Sequence, residues 1–294
     1  MDFSDTTVGV PTFRRKEKLF NLLESLEKWD FKEIIVADDS KISEEKWNKY
    51  EEMKEKIPLR VLEFPFDSGI GKKRQEIVKE LESNFLLTID DDMEPYKIKS
   101  LKEVLLSDEK LGGVSGLLIE ENELKCSAHD LKVKNSYLIK DIKNKECLSS
   151  RNNNPYFKFN QIPQVGIFRK DCLNEYNWDD HYKAGKEHLD FFFGHYKKTD
   201  WEFAVTPTSL FGHFPGGSST YTSFRRSKNR MEDSKRYFLD KWGLKGILEY
   251  RVHFVRSPNF KKNLEIALKR KLPFTGVRLL QWFKDKVIRR IQYA

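Results

Sequence analysis

The chain has 294 residues, and 38% of them are hydrophobic, with 22 Phe, 11 Tyr and 6 Trp among the aromatic residues. This apolar content excludes an intrinsically disordered protein, although 34% of the residues are charged. The length fits one large α/β domain, or a catalytic domain with a smaller appendage. Cys126, Cys147 and Cys172 are odd in number and lack metal-site spacing, which argues against a disulfide framework and a zinc site.

The net charge of +8 is unevenly distributed. From Arg225 onward there are 20 Lys and Arg residues and only 6 Asp and Glu residues. Nucleic acid, an anionic membrane surface and the phosphates of a nucleotide are the partners that such a basic region can bind. Residues 1–7 are too polar for a signal peptide, and no apolar run approaches the about 18 residues of a membrane span. We therefore expect a cytoplasmic protein.

Short apolar segments alternate with helical patterns over residues 7–89. The pattern predicts, in order, strand 7–10, helix 16–28, strand 33–37, helix 43–56, strand 59–64, helix 68–81 and strand 85–89. Such alternation is typical of right-handed βαβ units. It predicts an α/β fold with a Rossmann-like, mostly parallel sheet flanked by helices.

The alternation becomes less regular after residue 89. The remaining predicted elements are a helix over 96–106, a strand over 112–119, antiparallel strands and loops over 120–160, a strand over 163–169, a helix over 187–198, a strand over 201–205, a loop over 211–230 and a mostly helical C-terminal segment. We therefore predict one domain over residues 1–224, with halves 1–95 and 96–224. A basic helical extension over 225–294 follows it.

Acidic or glycine-rich sequences follow three of the predicted strands, at 38–40, 67–71 and 90–92. Ligands of an open parallel sheet bind beyond the carboxyl ends of its strands. Asp90, Asp91 and Asp92 repel one another unless a cation binds, and Mg²⁺ and Mn²⁺ typically bind one or two carboxylates together with substrate phosphates. The triplet therefore predicts a metal site, and the alternative is a solvated acidic turn before a helix.

The other two sequences fit the remaining parts of a nucleotide. The Asp38 carboxylate can accept a hydrogen bond from a base or a ribose, or it can belong to a capping turn before Ser43. Residues 69–74, Gly-Ile-Gly-Lys-Lys-Arg, open a helix, and a helix N-terminus with basic side chains favours phosphate. The alternative for this sequence is a helix start with a solvated basic face.

Candidate catalytic residues lie further along the chain. Glu187 and Asp190 share one face of the predicted helix beside aromatic residues, where a carboxylate that loses hydration suits base catalysis. The alternative is an amphipathic helix with exposed acids. His213 follows a core strand and can add an imidazole to a Mn²⁺ site that includes Asp92, although a lone histidine is more often structural. The aromatic and basic loop over 218–230 can close over a diphosphate.

Taken in this order, the motifs resemble those of the family 2 glycosyltransferases with the GT-A fold. The resemblance covers about residues 6–215. The sequences that carry it are Val8–Phe13, Ile35–Ser40, Gly69–Arg74, Leu87–Asp92, Trp178–Asp180 and Gly185–Asp190. It implies transfer of a sugar from a nucleotide sugar, most simply a UDP-sugar, to a hydroxyl of a glycan or a lipid-linked acceptor. Members of the family mostly invert the anomeric configuration and use a divalent metal.

The resemblance also implies a role for each matching residue. Residues 1–95 would form the nucleotide-sugar-binding half and residues 96–224 the acceptor-side half. The donor-binding residues would be Pro11, Thr12, Asp38, Asp39, Arg74, Asp90 and Asp91, joined by Tyr221 and Arg225 from the loop. The Mn²⁺ or Mg²⁺ ligands would be Asp92, His213 and Asp90. Of the acidic triplet, Asp91 is the member that we expect to tolerate substitution.

Three neighbouring residues are candidates for the catalytic base. Many members of the family have Glu-Asp where this chain has Glu187 and His188. The base is therefore Asp190, Glu187 or His188. The prediction favours Asp190, because the other two can orient the acceptor sugar.

Two other classes of protein compete with the transferase. The first is a protein that binds an anionic surface through residues 225–294, with nucleic acid less favoured than membrane. Residues 272–293 mix apolar and basic side chains, which fits an amphipathic helix at the cytoplasmic membrane face or a helix packed on the domain. The second is a sugar nucleotidyltransferase or a nicotinamide oxidoreductase, and the missing Gly-x-Gly-x-x-Gly sequence argues against the oxidoreductase.

Overall fold

The computed structural model describes residues 3–121, 123–142, 145–225, 227–249 and 271–283. The first seven elements follow the predicted order. They are β1 (Phe3–Thr12), α1 (Lys16–Leu26), β2 (Phe31–Asp38), α2 (Glu44–Lys54), β3 (Leu59–Glu63), α3 (Ile70–Lys79) and β4 (Phe85–Thr88). Helix α2 begins as predicted, because the Ser43 side chain accepts a hydrogen bond from the backbone N–H of Lys46 at 3.3 Å.

The second half is richer in strands. Its elements are β5 (Met93–Lys97), α4 (Lys99–Ser107), β6 (Leu111–Glu120), β7 (Glu123–Lys125), β8 (Asp130–Lys134), β9 (Tyr137–Asp141), β10 (Leu148–Ser149), β11 (Pro155–Phe159), β12 (Gly166–Arg169), α5 (Lys170–Glu175), α6 (Glu187–Lys198), β13 (Glu202–His213), α7 (Ser219–Arg225), α8 (Lys228–Lys241), β14 (Gly246–Glu249) and α9 (Phe274–Phe283). The predicted helix over 272–293 corresponds to α9 as far as Phe283, and its remaining residues lie outside the described ones.

Two of the predicted boundaries were wrong, and both errors have one cause. The helix predicted over 96–106 starts at Lys99, because residues 93–97 pair with β13 as strand β5. The loop predicted over 211–230 starts after His213, because β13 continues along β5 and β6 to that residue. Tertiary pairing overrides local propensity here. Helices α7 and α8 then occupy most of the predicted loop.

The central sheet is mostly parallel, as predicted. Its main path runs β10-β11-β13-β6-β12-β4-β1-β2-β3. Strands β1 to β4 are mutually parallel, β6 and β13 form a second parallel pair, and β12 runs antiparallel between the two groups. A smaller sheet of order β14-β9-β8 lies outside this path.

Helices cover both faces of the central sheet, so the core has two layers. Apolar side chains of α1, α2 and α4 fill one layer, and those of α3, α5 and α6 fill the other. A third apolar cluster joins Phe238 of α8 to Leu189 and Phe193 of α6 and to the small sheet. Helix α8 therefore packs on the part of the domain formed by residues 96–224. No helix among the described residues is long and apolar enough to cross a membrane.

Gly71 brings the two halves of the domain together. Its backbone N–H donates to the carbonyl oxygen of Tyr182 at 2.9 Å, and a Cβ placed there would lie 2.2 Å from the carbonyl oxygen of Asp179. Backbone atoms cannot move aside cheaply, so helix α3 would have to shift. The contact thus fixes the helix N-terminus against the segment that leads into α6.

We expect Gly71→Ala to reduce the free energy of unfolding by about 1–3 kcal/mol through overpacking. The measurement is denaturant or thermal unfolding. Gly276→Ala is the matched control, because its Cβ would meet only side-chain atoms, at 3.3 Å or more. In that helical position alanine is expected to be neutral or stabilising. Equal stability of the two variants would contradict the close approach at Gly71.

Candidate active site

A pocket opens at the carboxyl ends of β1, β2 and β4, where the sequence motifs come together. Of the predicted donor-binding residues, Pro11, Asp39, Asp90, Tyr221 and Arg225 line it. The other lining residues are Phe13, Arg15, Asp67, Gly69, Ile70, Lys73 and Lys183. The position agrees with the rule that open α/β sheets bind ligands beyond these strand ends.

Asp90 belongs to a chain of charged groups that joins the two halves of the domain. The Arg74 Nη2 donates to Asp90 Oδ1 at 2.7 Å, and Arg74 Nη1 lies 3.5 Å from Glu187 Oε1. Gln164 Nε2 donates to the other Asp90 oxygen. Arg74 Nη1 and Nε and Glu187 Oε2 are buried and have no hydrogen-bond partner among the described residues. Buried polar groups normally have partners, so these unsatisfied atoms mark an unusual cluster of charge beside the pocket.

Asp91 is the most deeply buried member of the acidic triplet. Its side chain accepts hydrogen bonds from Thr12 Oγ1 at 2.7 Å and from Arg15, and it is 1% exposed. Burial raises the pKa of Asp91, while the charge of Arg15 opposes this shift. The Arg15 guanidinium also lies over the Tyr221 ring, 4.5 Å from its centroid. These contacts go against the expectation that Asp91 tolerates substitution.

Asp92 and His213, two of the predicted metal ligands, lie close together. His213 Nε2 lies 3.7 Å from Asp92 Oδ2, and its Nδ1 bonds to Glu120 Oε2 at 2.6 Å. Asp92 also accepts a hydrogen bond from Arg15. Burial works against ionisation of Asp92, but His213 and Arg15 together lower its pKa below the usual value. A histidine whose second nitrogen bonds a carboxylate is a common arrangement of metal ligands.

These residues fit a hard divalent cation, with one limit. Within the described ranges, no group of three or more His, Cys, Asp or Glu side chains is arranged as a metal site. Two protein ligands are nevertheless sufficient for Mg²⁺ or Mn²⁺ when substrate phosphates complete the coordination. Asp90, the third predicted ligand, bonds to Arg74 and Gln164 instead. Asp92 and His213 are therefore the two residues of this site that could hold such a cation.

Asp38 and Asp39 were both predicted to bind the donor, and the structure brings only Asp39 to the pocket wall. The Asp38 carboxylate is fully buried and bonds to Ser40, to Lys46 and, at 2.7 Å, to the Tyr50 hydroxyl. It therefore faces α2 and has no role in lining the pocket. Asp39 lies on the pocket wall instead.

Two contacts fix Asp39 at the wall of the pocket. Its Oδ2 accepts a hydrogen bond from the backbone N–H of Gly69 at 2.9 Å, and its Oδ1 accepts one from Lys73. The Gly69 backbone has φ of 101°, a conformation that favours glycine. Burial lowers the pKa of Lys73, whose ammonium also donates to the Thr12 carbonyl at 2.7 Å.

The three candidate bases of α6 lie in different surroundings. Glu187 faces Arg74, as described above. His188 Nε2 bonds to the carbonyl oxygen of Ile162 at 2.9 Å. Burial and the charge of Arg74 lower the pKa of His188 to about 3, so the ring is neutral. Asp190 is 0% exposed. Its carboxylate accepts hydrogen bonds from four side chains, which are Tyr176, Tyr182, Lys241 and Trp242.

Sequence reasoning missed three residues of this site. Lys73 belongs to the Gly69–Arg74 sequence and Arg15 lies two residues after the Val8–Phe13 sequence, but which basic side chain would turn inward was not apparent. Gln164 bonds to Asp90 from the segment before β12, and no sequence signal indicated it.

Arg225, which the sequence did predict for this site, lies close to Glu187 and Asp90. Their negative charges raise its pKa although burial opposes this.

The α/β sheet, with acidic residues at its strand ends, has the GT-A fold of solved glycosyltransferase structures. Residues 7–123 match the sequence profile described as glycosyl transferase family 2. This stretch of the chain is therefore similar in sequence to the family 2 glycosyl transferases. Both the resemblance and the enzyme class that the motifs predicted are confirmed at this level. No curated protein matches the chain in sequence.

Solved structures support the fold. TarS 1-349 from S. aureus superimposes with a TM-score of 0.55 and 19% identity, covering 98% of this chain and 75% of that chain. For a longer S. aureus TarS chain the TM-score is 0.51 and the identity 20%, covering 82% of this chain and 40% of that chain. For GalNAc-T7, solved with UDP, GalNAc and Mn²⁺, the TM-score is 0.60 and the identity 12%, covering 98% of this chain and 57% of that chain. The chain thus spans less than half of the longer TarS chain.

Proposed function

We propose that the protein transfers one sugar residue from a nucleotide sugar, with a UDP-sugar as the first candidate, to a hydroxyl of a glycan or lipid-linked acceptor. The observation that carries the proposal is the chain Asp90–Arg74–Glu187, which joins the donor-side strand end to α6 and leaves buried polar atoms without partners. The S. aureus TarS fold has been solved with UDP and with UDP-GlcNAc, which supports UDP as the first nucleotide to test.

The pocket offers the groups that a nucleoside diphosphate requires. Asp39, rather than Asp38, is our candidate for contact with the base or ribose, because Asp39 lines the pocket. Arg15, Lys73 and Arg225 supply positive charge for the diphosphate. Charge of this kind, held in a partly buried site, stabilises the negative charge that develops on a departing diphosphate.

Asp92 and His213 would hold a Mn²⁺ or Mg²⁺ ion. When bound, such an ion supplies positive charge to the donor phosphates. The Glu120 carboxylate keeps the His213 ring oriented through Nδ1, so that Nε2 faces Asp92. GalNAc-T7, which has the same fold, was solved with Mn²⁺.

Glu187 is our candidate for the base, replacing Asp190. Proton transfer needs a carboxylate oxygen that is free to accept, and Glu187 Oε2 has no partner among the described residues. Asp190 has four donors on its two oxygens, and His188 is a weak base because burial and the charge of Arg74 lower its pKa to about 3. In this mechanism Glu187 takes the proton of the acceptor hydroxyl. The acceptor oxygen bonds to the sugar anomeric carbon as the bond to the diphosphate breaks, and the configuration inverts.

A panel of thermal melts tests the donor assignment. We expect one nucleotide sugar among UDP-, GDP- and dTDP-sugars to raise the melting temperature, and to raise it further with Mn²⁺. A ligand present at about 100 times its Kd stabilises the native state by about 2.7 kcal/mol. Free Mn²⁺ and the free sugars are the controls. If no nucleotide sugar shifts the melt, with or without metal, the transferase proposal fails.

Membrane association is a second proposal, favoured by the surface of α9. Leu279 is 67% exposed and Trp282 is 57% exposed, while Val277 is buried and Arg278 lies over the Tyr137 ring at 4.9 Å. One side of the helix thus packs on the small sheet and the other presents apolar side chains. An anionic bilayer can accept such a surface from a basic segment, which suits a lipid-linked acceptor.

Vesicle flotation tests this second proposal. The Leu279→Ser/Trp282→Ser variant is expected to bind anionic vesicles less tightly than the unchanged protein. The control is Leu106→Ser, because Leu106 is also exposed but lies on α4. Equal flotation of all three proteins would remove α9 as the membrane contact and would leave the transferase proposal untouched.

A further inference from the structure

We infer that helix α8 positions the reaction site, with Lys241 and Trp242 as positioning residues that act on Glu187 through Asp190. The inference rests on the proposed function, because it concerns the placement of the proposed base. Helix α8 comes from the region that the sequence divided from the catalytic domain. It nevertheless contacts both sides of the site.

One end of α8 holds the donor side of the pocket. The Arg230 guanidinium donates two parallel hydrogen bonds to Asp67, at 2.7 and 2.6 Å. Asp67 lines the pocket, and its backbone N–H donates to the Asp39 carbonyl at 2.9 Å. The Asp67 backbone has φ of 60°, which is uncommon for a residue other than glycine. Bidentate Arg–carboxylate pairs fix direction as well as distance.

The middle of α8 holds the segment that leads into α6. Ser234 Oγ, which is buried, donates to the Ala184 carbonyl at 2.8 Å. The Met231 side chain lies beside Gly185, where an added Cβ would come within 2.7 Å of it. Lys186, the residue before α6, has φ of 70°. The chain therefore enters α6 through an unusual backbone conformation that α8 covers.

The other end of α8 holds the first turn of α6. Lys241 Nζ donates to Asp190 Oδ2 at 2.8 Å and to Asp179 Oδ2 at 2.7 Å, and Trp242 Nε1 donates to Asp190 Oδ1 at 2.7 Å. Asp190 follows Glu187 by three positions, so the two side chains lie on adjacent turns of one face. Helix α6 has no side-chain cap at its N-terminus. The hydrogen bonds from Lys241 and Trp242 to Asp190 are therefore the side-chain contacts through which α8 fixes the orientation of this turn.

Loss of the contacts between α8 and the first turn of α6 is expected to lower turnover more than donor affinity. If the first turn of α6 moves, Glu187 moves relative to the acceptor hydroxyl, whereas the donor contacts of Asp39 and Lys73 are on other elements. Misplacement of a catalytic group by about 1 Å can cost about 10²-fold in rate. A role in folding alone would instead reduce stability and leave kcat per folded molecule unchanged.

The test compares Lys241→Met and Trp242→Phe with the unchanged protein. The readouts are kcat, KM and Kd for the nucleotide sugar that gives the largest thermal shift, with turnover followed as release of the nucleoside diphosphate. We expect Lys241→Met to lower kcat by about 10²-fold and Trp242→Phe by less, with donor Kd unchanged. Lys241→Arg is expected to restore part of the loss, because it keeps the charge. The control is Arg236→Met, since Arg236 is 72% exposed and pairs only with Asp233 among the contacts described.

The outcomes separate this inference from the proposed function. If the unchanged protein releases no nucleoside diphosphate from any nucleotide sugar, the proposed function fails. If it does so and folded Lys241→Met and Trp242→Phe keep its kcat, the inference about α8 fails. If Lys241→Met does not fold, Trp242→Phe decides, because phenylalanine keeps an aromatic ring beside Phe193 and removes the N–H donor. A parallel loss of donor affinity in either folded variant would also overturn the inference.

Discussion

Glu187→Gln is expected to lower turnover by about 10²–10⁴-fold, the range that a positioned general base contributes. The substitution keeps the volume and removes the group that accepts the proton. Donor binding is expected to persist, because the amide oxygen can still face Arg74 and because Asp39, Lys73 and Arg225 are unchanged. The measurement pairs single-turnover kinetics with the donor-dependent thermal shift.

Asp190→Asn is the comparison that separates the base from the residue that holds α6. Asp190 is enclosed by Tyr176, Tyr182, Lys241 and Trp242, so an amide there leaves the Lys241 charge without one of its two carboxylates. We expect a lower melting temperature and a smaller loss of turnover than for Glu187→Gln. If Asp190→Asn were the less active variant at an unchanged melting temperature, Asp190 would be the base, as the sequence favoured.

The sequence predicted the fold well because its main signals are local. Alternating apolar segments and helical stripes gave the order β1 to β4, and the strand-end rule placed the site at residues 38–40, 67–71 and 90–92. The family profile over residues 7–123 covers the same half of the chain. The errors came where pairing is distant, since β5 forms only because residues 93–97 meet β13 more than a hundred positions later.

The roles of individual side chains were harder to predict than the location of the site in the sheet. Successive residues of a strand point to opposite faces, so Asp38 and Asp39 could not both reach the pocket, but the sequence did not show which of them would. The structure decides this through the bonds of Asp38 to Lys46 and Tyr50, and of Asp39 to Gly69 and Lys73. The surroundings of Asp190 were hard to predict for a related reason. Its partners Lys241 and Trp242 lie in a region that composition had assigned to a separate basic extension.

Asp92→Asn is expected to abolish the metal-dependent part of the donor thermal shift. The substitution replaces a carboxylate with a neutral oxygen, a weaker ligand for a hard divalent cation, and leaves His213 as the only charged or imidazole ligand of the pair. The metal-independent shift is expected to remain, because Arg15 and Arg225 still supply positive charge to the donor phosphates. The measurement is a Mn²⁺ titration of the melting temperature at fixed nucleotide sugar.

Asp91→Asn is the matched control for this titration, because it removes a neighbouring carboxylate that bonds Thr12 and Arg15 instead of facing His213. We expect it to lower the melting temperature of the free protein and to keep the Mn²⁺ response.

A second expectation concerns Arg15, whose guanidinium bonds both Asp91 and Asp92. Since it competes with a cation for Asp92, Arg15→Gln should shift the Mn²⁺ response to lower concentration. An unchanged Mn²⁺ response in Asp92→Asn would show that the cation binds elsewhere, and the pair Asp92 and His213 would then be an ion pair that orients the β13 end of the pocket.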